Sequence, residues 1–389
     1  MKGPSFTYPG YITSKLSISD AKIYSNVSLL NMLWLIGMGI NGYKGLNLAA
    51  VDILKRCDVI YAESFTSVLS DEDLQSLNSI INKQINVVRR WFVEDGREIL
   101  ETAKSKEVAL ITYGDPLIAT THSELCVRAV KNSVKVHILH NASGIVSIIG
   151  ETGLHSYKFG RMVTVMSEAQ SAISVYNIIF DNLLVGSHTL LLTEYRQAEG
   201  EKANFFFDPI SVFKMLLEVE GDQRYQILSH DTFAIVASRI GTDDQKIVSG
   251  KIRSLLQKDF GSGPHSIIIT GAFHFTEEDA VVILTENIDP PTDNSQCIKR
   301  ISTQMIERYA PKAKLAVKQM RITLQQENDA KNAKGMFEVL DNAEYYIADA
   351  ERFLQQARFE LAVLSMGYAE GLVDALRFQK GINPWNSSE

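Results

Sequence analysis

Residues 111–121 read Ile-Thr-Tyr-Gly-Asp-Pro-Leu-Ile-Ala-Thr-Thr, and they say more about the architecture than any other part of the chain. The mostly apolar run at 108–113 predicts a buried strand. Gly114-Asp115-Pro116 predicts a tight turn at the carboxyl end of that strand, and the threonines that follow can begin a helix. Because ligands bind at the carboxyl ends of strands in open α/β sheets, this turn is our first candidate for a small-ligand site.

The residues around this stretch alternate between short apolar runs and helical patterns. Further strands are predicted at 33–36, 59–61, 136–139 and 162–165, with helices at 46–56 and 74–81. This alternation is typical of parallel βαβ units and predicts an N-terminal α/β lobe at residues 32–168. Residues 1–31 contain no apolar run of the signal-peptide kind, and we expect a disordered extension or a start assigned too early.

The pattern changes after about residue 186. Strands are predicted at 188–193, 232–237, 266–270 and 280–284, with helices at 210–218 and 245–258. These elements predict a second, mixed α/β lobe at residues 169–286.

The last part of the chain contains no strand pattern. Residues 287–300 have the composition of a linker. Apolar residues then recur at helical spacing, punctuated by Pro311 and Gly335, which predicts a bundle of about three helices at residues 301–385. Its charged faces are typical of solvated surface, and a role in docking a partner is our hypothesis for them.

Composition limits the class of protein. The 389 residues suffice for two or three domains, and the 45% hydrophobic and 22% charged residues are those of an ordinary globular protein. A net charge of −7 argues against general nucleic-acid binding, and no apolar run approaches the roughly 20 residues of a membrane span. Cys57, Cys126 and Cys297 lie far apart, which favours a reducing cytoplasm and neither disulfides nor a metal site.

A glycine motif offers a competing interpretation. Gly37, Gly39 and Gly42 follow a predicted strand with the G-x-G-x-x-G spacing of dinucleotide-binding proteins, and Glu63 lies about 20 positions on. An NAD-dependent dehydrogenase is therefore one alternative, and a generic methyltransferase glycine loop is another. The bulky Tyr43-Lys44 pair and the second ligand-type turn at Gly114 both weaken the dehydrogenase interpretation.

Several motifs together resemble one family. They are Ala62-Glu-Ser-Phe-Thr-Ser67, residues 114–122, His140-Asn-Ala-Ser143, residues 152–160, Asp231-Thr-Phe233 and Asp259-Phe-Gly-Ser-Gly-Pro-His265. With the first glycine turn, they resemble the tetrapyrrole-methylase-like fold and, within it, the diphthine synthases. The resemblance runs from Met32 to about Thr285. The helical region beyond about residue 290 resembles, in composition only, a small domain of archaeal proteins.

This resemblance implies a fold and an activity. The fold is α/β, a two-domain class III methyltransferase, here followed by an all-α bundle. The activity is transfer of methyl groups from S-adenosyl-L-methionine to the amine of a modified histidine, the diphthamide precursor, in elongation factor 2, which gives trimethylated diphthine. The family forms homodimers. A methyltransferase of the same fold acting on a tetrapyrrole or on RNA is the alternative.

The resemblance also implies a set of cofactor-binding residues from both lobes. They are Ile40, Asp115, Ile118, Ser143, Gly144, Thr193, Ile240 and His265. Gly144 and Thr193 depart from the family pattern, which often has a branched apolar residue at the first position and Leu at the second. Asp115 could instead cap its own turn, and His265 could be a structural histidine. No general base is identified.

Overall fold

The computed structural model describes residues 31–197, 204–296, 298–326, 330–383 and 385. The predicted N-terminal extension, up to residue 30, lies outside this description. No helix among the described residues has the length and apolarity needed to cross a membrane.

The first lobe is a parallel sheet with helices on both faces. Its elements are β1 (Met32–Gly37), α1 (Leu48–Arg56), β2 (Val59–Glu63), α2 (Asp71–Ile81), β3 (Asn86–Val88), α3 (Arg90–Asp95), α4 (Arg97–Ala103), β4 (Glu107–Thr112), α5 (His122–Lys131), β5 (Lys135–Leu139) and α6 (Gly144–Thr152). The strand order is β3-β2-β4-β1-β5, and every pair is parallel. Alternate residues of β1 pack into two separate cores on opposite faces of the sheet. Leu33 and Leu35 pack into one core, and Trp34 and Ile36 pack into the other. Because both faces are buried, the strand sequence is apolar throughout.

The second lobe is a mixed sheet with its own core. Its elements are β6 (Val163–Val165), α7 (Ala169–Leu183), β7 (Thr189–Thr193), β8 (Tyr195–Arg196), β9 (Phe205–Phe206), α8 (Pro209–Gln223), β10 (Phe233–Ser238), β11 (Lys246–Lys251), α9 (Ile252–Leu255), β12 (His265–Ile269), α10 (Phe275–Leu284) and β13 (Glu286–Asn287). The main sheet has the order β13-β11-β10-β12-β7-β6, and β8 pairs with β9 in a separate ribbon. Antiparallel pairing of β10 with β11 and β12 makes the sheet mixed, as predicted.

Three predictions for the lobes differ from the structure. The strand at 162–165 was predicted for the first lobe, but β6 pairs in parallel with β7, because α7 carries the chain over in a βαβ unit. The predicted helix at 245–258 is helical only in the short α9; its first part is β11, whose pairing with β10 overrides the helical pattern. The apolar run at 280–284 is the end of α10, which begins in a capping box between His274 and Glu277.

Three long helices follow the two lobes. They are α11 (Ile301–Gln326), α12 (Ala330–Gln355) and α13 (Phe359–Lys380). Small and medium side chains such as Ala313, Leu340 and Ala369 form one shared core, which confirms the predicted helical bundle. Pro311 and Gly335 were predicted to separate helices, but Pro311 lies inside α11 and Gly335 inside α12. Packing of the neighbouring turns offsets the low helical propensity of these two residues.

Candidate functional site

A cavity of about 690 Å³ is lined by residues of both lobes. In the first lobe, the segments that follow β1, β2, β4 and β5 contribute to it, and these are the carboxyl ends of parallel strands. In the second lobe, β7 and the segments that join β10 to β11 and precede β12 contribute. Its volume lies in the range of about 300–1,000 Å³ that is typical of small-molecule sites.

Two glycine loops pair with each other at the base of this cavity. The backbone N–H groups of Gly39 and Gly114 each donate to the other's carbonyl, at 3.1 and 2.9 Å, and both residues have a positive φ. A Cβ atom on Gly37 would lie 2.6 Å from the Gly114 carbonyl oxygen. Glycine at these positions therefore allows the two loops to contact each other closely.

The same region lacks the context that a dinucleotide fingerprint requires. A short 3-10 turn at Gly42–Gly45 follows the motif, and α1 begins only at Leu48, with Asn47 as its N-cap. In the dinucleotide fold the helix opens at the glycine turn and directs its N-terminus at the pyrophosphate. Here β1 also lies between β4 and β5, not next to β2. The dehydrogenase alternative therefore loses its structural support.

Asp115 uses its carboxylate to fix the loop. Oδ1 accepts from the backbone N–H of Leu117 at 2.9 Å, while Oδ2 contacts Nδ1 of His140 at 2.8 Å and accepts from the Asn141 N–H at 3.3 Å. Burial opposes ionisation of Asp115, but these hydrogen bonds outweigh it and lower the pKa below its ordinary value. The side chain thus caps its own turn, as the alternative interpretation predicts, and the residue still lines the cavity.

His265 and Thr193 form the corresponding wall of the second lobe. The Thr193 hydroxyl donates to the backbone carbonyl of His265 at 2.8 Å, and Nδ1 of His265 lies 2.8 Å from the Ser238 hydroxyl. Burial, with a smaller effect of the nearby Arg239 cation, lowers the pKa of His265 to about 4. At neutral pH this wall therefore presents a neutral, hydrogen-bonded imidazole.

Several hydrogen bonds join the lobes, and two of them involve residues that line the cavity. Asn41 Nδ2 donates to the Gly241 carbonyl at 2.8 Å, next to Ile40 and Ile240. Gly241 has a φ of +87°, and a Cβ atom there would lie 2.7 Å from the Ile40 carbonyl oxygen. On another side, the Tyr195 hydroxyl donates to the Ser64 carbonyl at 3.1 Å. These contacts hold the walls at a fixed separation.

The structure brings all eight predicted cofactor-binding residues to this one cavity. The residues are Ile40, Asp115, Ile118, Ser143, Gly144, Thr193, Ile240 and His265. A Cβ atom on Gly144 would meet nothing within 4 Å, so glycine there leaves the wall thinner than a branched residue would. That these residues bind a cofactor stays a prediction.

Sequence reasoning missed the aromatic side chains of the cavity. Tyr43, Tyr113, Tyr195 and Phe206 all line it, as do the carboxylates of Glu72 and Asp73. Tyr113 directly precedes the Gly-Asp-Pro turn, a position that could have marked it. Phe206 is brought in by the β8–β9 ribbon, which sequence periodicity did not indicate.

Comparison with known proteins agrees with this geometry. The family model for tetrapyrrole (corrin/porphyrin) methylases matches residues 32–256. The diphthine synthase of Methanocaldococcus jannaschii is 39% identical over 260 residues, which are 66% of this chain and 100% of that protein. The chain belongs to the diphthine synthase family. It is thus an S-adenosylmethionine-dependent methyltransferase.

Other relatives and solved structures extend this assignment. The diphthine synthase of Methanococcus maripaludis strain C5 is 36% identical over 260 residues, 66% of this chain and 100% of that protein. A crystal structure assigned as a diphthine synthase from Entamoeba histolytica is 32% identical, with a TM-score of 0.60 over 67% of this chain and 100% of its own. A model for a protein of unknown function matches residues 308–382, within the bundle of this methyltransferase.

Proposed function

We propose that this methyltransferase acts on the amine of the modified histidine in elongation factor 2 and carries it to the trimethylated form. Identity of 39% along the whole length of the M. jannaschii diphthine synthase carries this proposal. The meeting of all eight predicted residues at one cavity supports it.

The lining of the cavity fits S-adenosylmethionine by its chemistry. Ile40, Ile118 and Ile240 offer apolar surface for the adenine, and the Gly114 loop offers backbone groups close to the ligand space. The carboxylate of Asp115 keeps a negative charge at this wall. When bound, the cofactor supplies an electrophilic methyl group on a cationic sulfonium.

The residues of the chain then contribute by positioning the two reactants. Direct displacement needs the amine and the methyl group in line and needs water kept out. The bonds from Asn41 to Gly241 and from Tyr195 to Ser64 join the two walls between which the reactants would lie. The amine must be neutral to attack, and a second positive charge nearby lowers the pKa of its ammonium form. Going from ammonium to trimethylammonium releases three protons to solvent.

Assembly, location and substrate belong to the same proposal. We place the enzyme in the cytoplasm of an archaeal cell as a homodimer, by likeness to its family. A tetrapyrrole or an RNA is the alternative acceptor for this fold, and the diphthine synthase relatives favour the protein acceptor over both.

One experiment tests the acceptor. The full chain is incubated with methyl-labelled S-adenosylmethionine and elongation factor 2 that carries the aminocarboxypropyl histidine, with unmodified elongation factor 2 as the control. We expect label on the modified factor only, and a mass increase of three methyl groups. Label on RNA or a porphyrinogen, with none on the modified factor, would contradict the proposal.

A further inference from the structure

The cavity contains a wall that the eight predicted cofactor contacts do not use. Tyr43, Tyr113, Tyr195 and Phe206 form it, and we call these four side chains the aromatic wall. Much of the rest of this part of the lining comes from the β2–α2 segment, residues 64–73, which supplies Thr66, Ser67, Val68, Ser70, Glu72 and Asp73.

Hydrogen bonds and stacking fix the rings of the aromatic wall. The Tyr113 hydroxyl donates to the Ile40 carbonyl at 2.6 Å, and the Tyr195 hydroxyl donates to Ser64 at the start of the β2–α2 segment. Phe206 stacks on Tyr195 with ring centroids 5.1 Å apart, because the two residues pair across the β8–β9 ribbon. The Tyr113 and Tyr195 hydroxyls are committed to carbonyls, and stacking covers one face each of Tyr195 and Phe206, so the other ring surfaces are what remains for a ligand.

Carboxyl groups flank the same rings. Asp73 accepts from the Tyr43 N–H at 2.7 Å and raises the pKa of Tyr113, which burial chiefly brings to about 12. Glu63 is buried beside Tyr195, whose pKa burial and then Glu63 raise to about 12. Oε2 of Glu63 accepts from the N–H groups of Phe65 and Thr66, whereas Oε1 has no partner among the described residues. Burial raises the pKa of Glu63, and a cation nearby would favour its ionised form.

The cationic side chains that line the cavity are placed differently from these carboxyl groups. The Arg239 guanidinium is committed to the Asp244 carboxylate at 2.6 Å and to the backbone carbonyls of Phe260 and Ser262. Lys44 is exposed at the rim, with its ammonium 5.9 Å from the Tyr43 ring centroid. Arg239 is thus paired with a carboxylate, and the exposed Lys44 is the cation that a bound ammonium would meet at the Tyr43 ring. Tyr113, Tyr195 and Phe206 are therefore the rings that are left for the ammonium.

Successive methylation sets a particular requirement on an amine site. The nitrogen loses hydrogen-bond donors at each step, and the final trimethylammonium has none. It keeps a permanent charge and gains apolar surface, which aromatic ring faces and nearby carboxylates can still hold. We propose that the aromatic wall, with the Asp73 carboxylate beside it, is the subsite that holds the acceptor amine through to its quaternary state. This inference rests on the proposed function and deepens it.

A matched pair of probes tests the subsite without the protein acceptor. Choline and 3,3-dimethylbutan-1-ol have nearly the same shape and differ in charge. Their binding to the full chain, saturated with S-adenosylhomocysteine, is measured by saturation-transfer NMR. We expect choline to bind about fivefold or more tightly than the neutral alcohol. Equal binding of the two probes by the unsubstituted chain would overturn the inference.

Two substitutions locate the effect. Tyr195→Leu should lose the preference for choline, and Tyr195→Phe should keep it, since the ring remains. Tyr345→Leu, at an exposed tyrosine of the bundle, is the control and should change nothing. A thermal shift with S-adenosylhomocysteine that persists in Tyr195→Leu shows that this variant is folded. If Tyr195→Leu does not fold, Tyr113→Leu replaces it with the same expectation.

The products on elongation factor 2 separate this inference from the proposed function. Tyr195→Leu should accumulate mono- and dimethylated product where the unsubstituted chain reaches three methyl groups. Full trimethylation by Tyr195→Leu, with no choline preference in the unsubstituted chain, would refute the subsite and leave the proposed function intact. Choline preference with no methylation of the factor would refute the proposed acceptor and leave the subsite standing.

Discussion

The two lobes and the helical bundle place their charged groups in opposite ways. In the lobes, Glu277 is completely buried: Oε2 receives hydrogen bonds from Lys158 and the His274 N–H, and Oε1 from the His155 N–H and His188. In the bundle, apolar side chains fill the core, and ion pairs such as Lys314–Glu351 lie on the surface. A buried charge thus ties together segments of the lobes that are distant in sequence, whereas the bundle is held by the packing of apolar side chains. The lobes should therefore respond to changes of charge and the bundle to changes of size.

Removing a buried charge from the lobes should have the largest effect. Glu277→Gln leaves Lys158 without its buried partner, and we expect a loss of about 4 kcal/mol in the free energy of unfolding. Glu351→Gln is the matched control, since it removes the exposed partner of Lys314 and should cost about 0.5 kcal/mol. Urea unfolding measures both. Equal losses would show that burial of the charge does not distinguish the two regions.

A change of volume in the bundle comes next. Leu340 is fully buried in the bundle core, and Leu340→Ala should destabilise the bundle by about 3 kcal/mol. Calorimetry should show the loss in the transition of the bundle, while the affinity for S-adenosylhomocysteine stays unchanged. A weaker affinity in this variant would mean that the bundle supports the cavity, and the comparison would fail.

Acid should separate the regions by the sign of its effect. The pKa of His265 is lowered to about 4, so its contribution to stability is complete above its unfolded value of 6.5 and is lost as pH falls toward 4. Burial, then the charge of Asp374, raises the pKa of Glu370, whose contribution is present below 4.5 and lost as pH rises. Between pH 7 and 4, calorimetry should show the lobes losing about 2 kcal/mol and the bundle losing none. His265→Gln should reduce the response of the lobes without abolishing it, because burial also lowers the pKa values of His122 and His188.

The smallest effect concerns a glycine contact. Gly37→Ala places a methyl group against the Gly114 carbonyl and should cost about 2 kcal/mol while weakening S-adenosylhomocysteine binding. Gly150→Ala is the control, because its added methyl group meets no neighbour within 4 Å, and it should be neutral or stabilising. Thermal unfolding and titration calorimetry measure both properties. Unchanged binding in Gly37→Ala would separate the glycine pairing from the cavity.

The sequence predicted the parts of the fold that local pattern controls. The strand before Tyr113, the turn at Gly114 and the three-helix bundle are confirmed, because each has a periodicity or a turn residue of its own. The pairing of β6 with the second sheet and the strand character of β11 depend on contacts between residues that are distant in sequence. The local periodicity of the sequence carries no information on such contacts.

The cavity was predictable only in part. The eight residues came from resemblance to a family, and the structure gathers them at one cavity. The aromatic wall depends on how Tyr195 and Phe206 pair in the β8–β9 ribbon and how Tyr43 meets Asp73. Those contacts join positions 11 to 30 residues apart that share no motif, so only the three-dimensional arrangement reveals them.

A crystal structure of the full chain with S-adenosylhomocysteine tests the central claim, that the methyl donor binds between the two lobes. We expect ligand density in the cavity, in contact with Ile40, Ile240 and the Gly114 loop, with the homocysteine sulfur facing the aromatic wall. Density on the bundle, or a cavity that stays empty at saturating ligand, would contradict it.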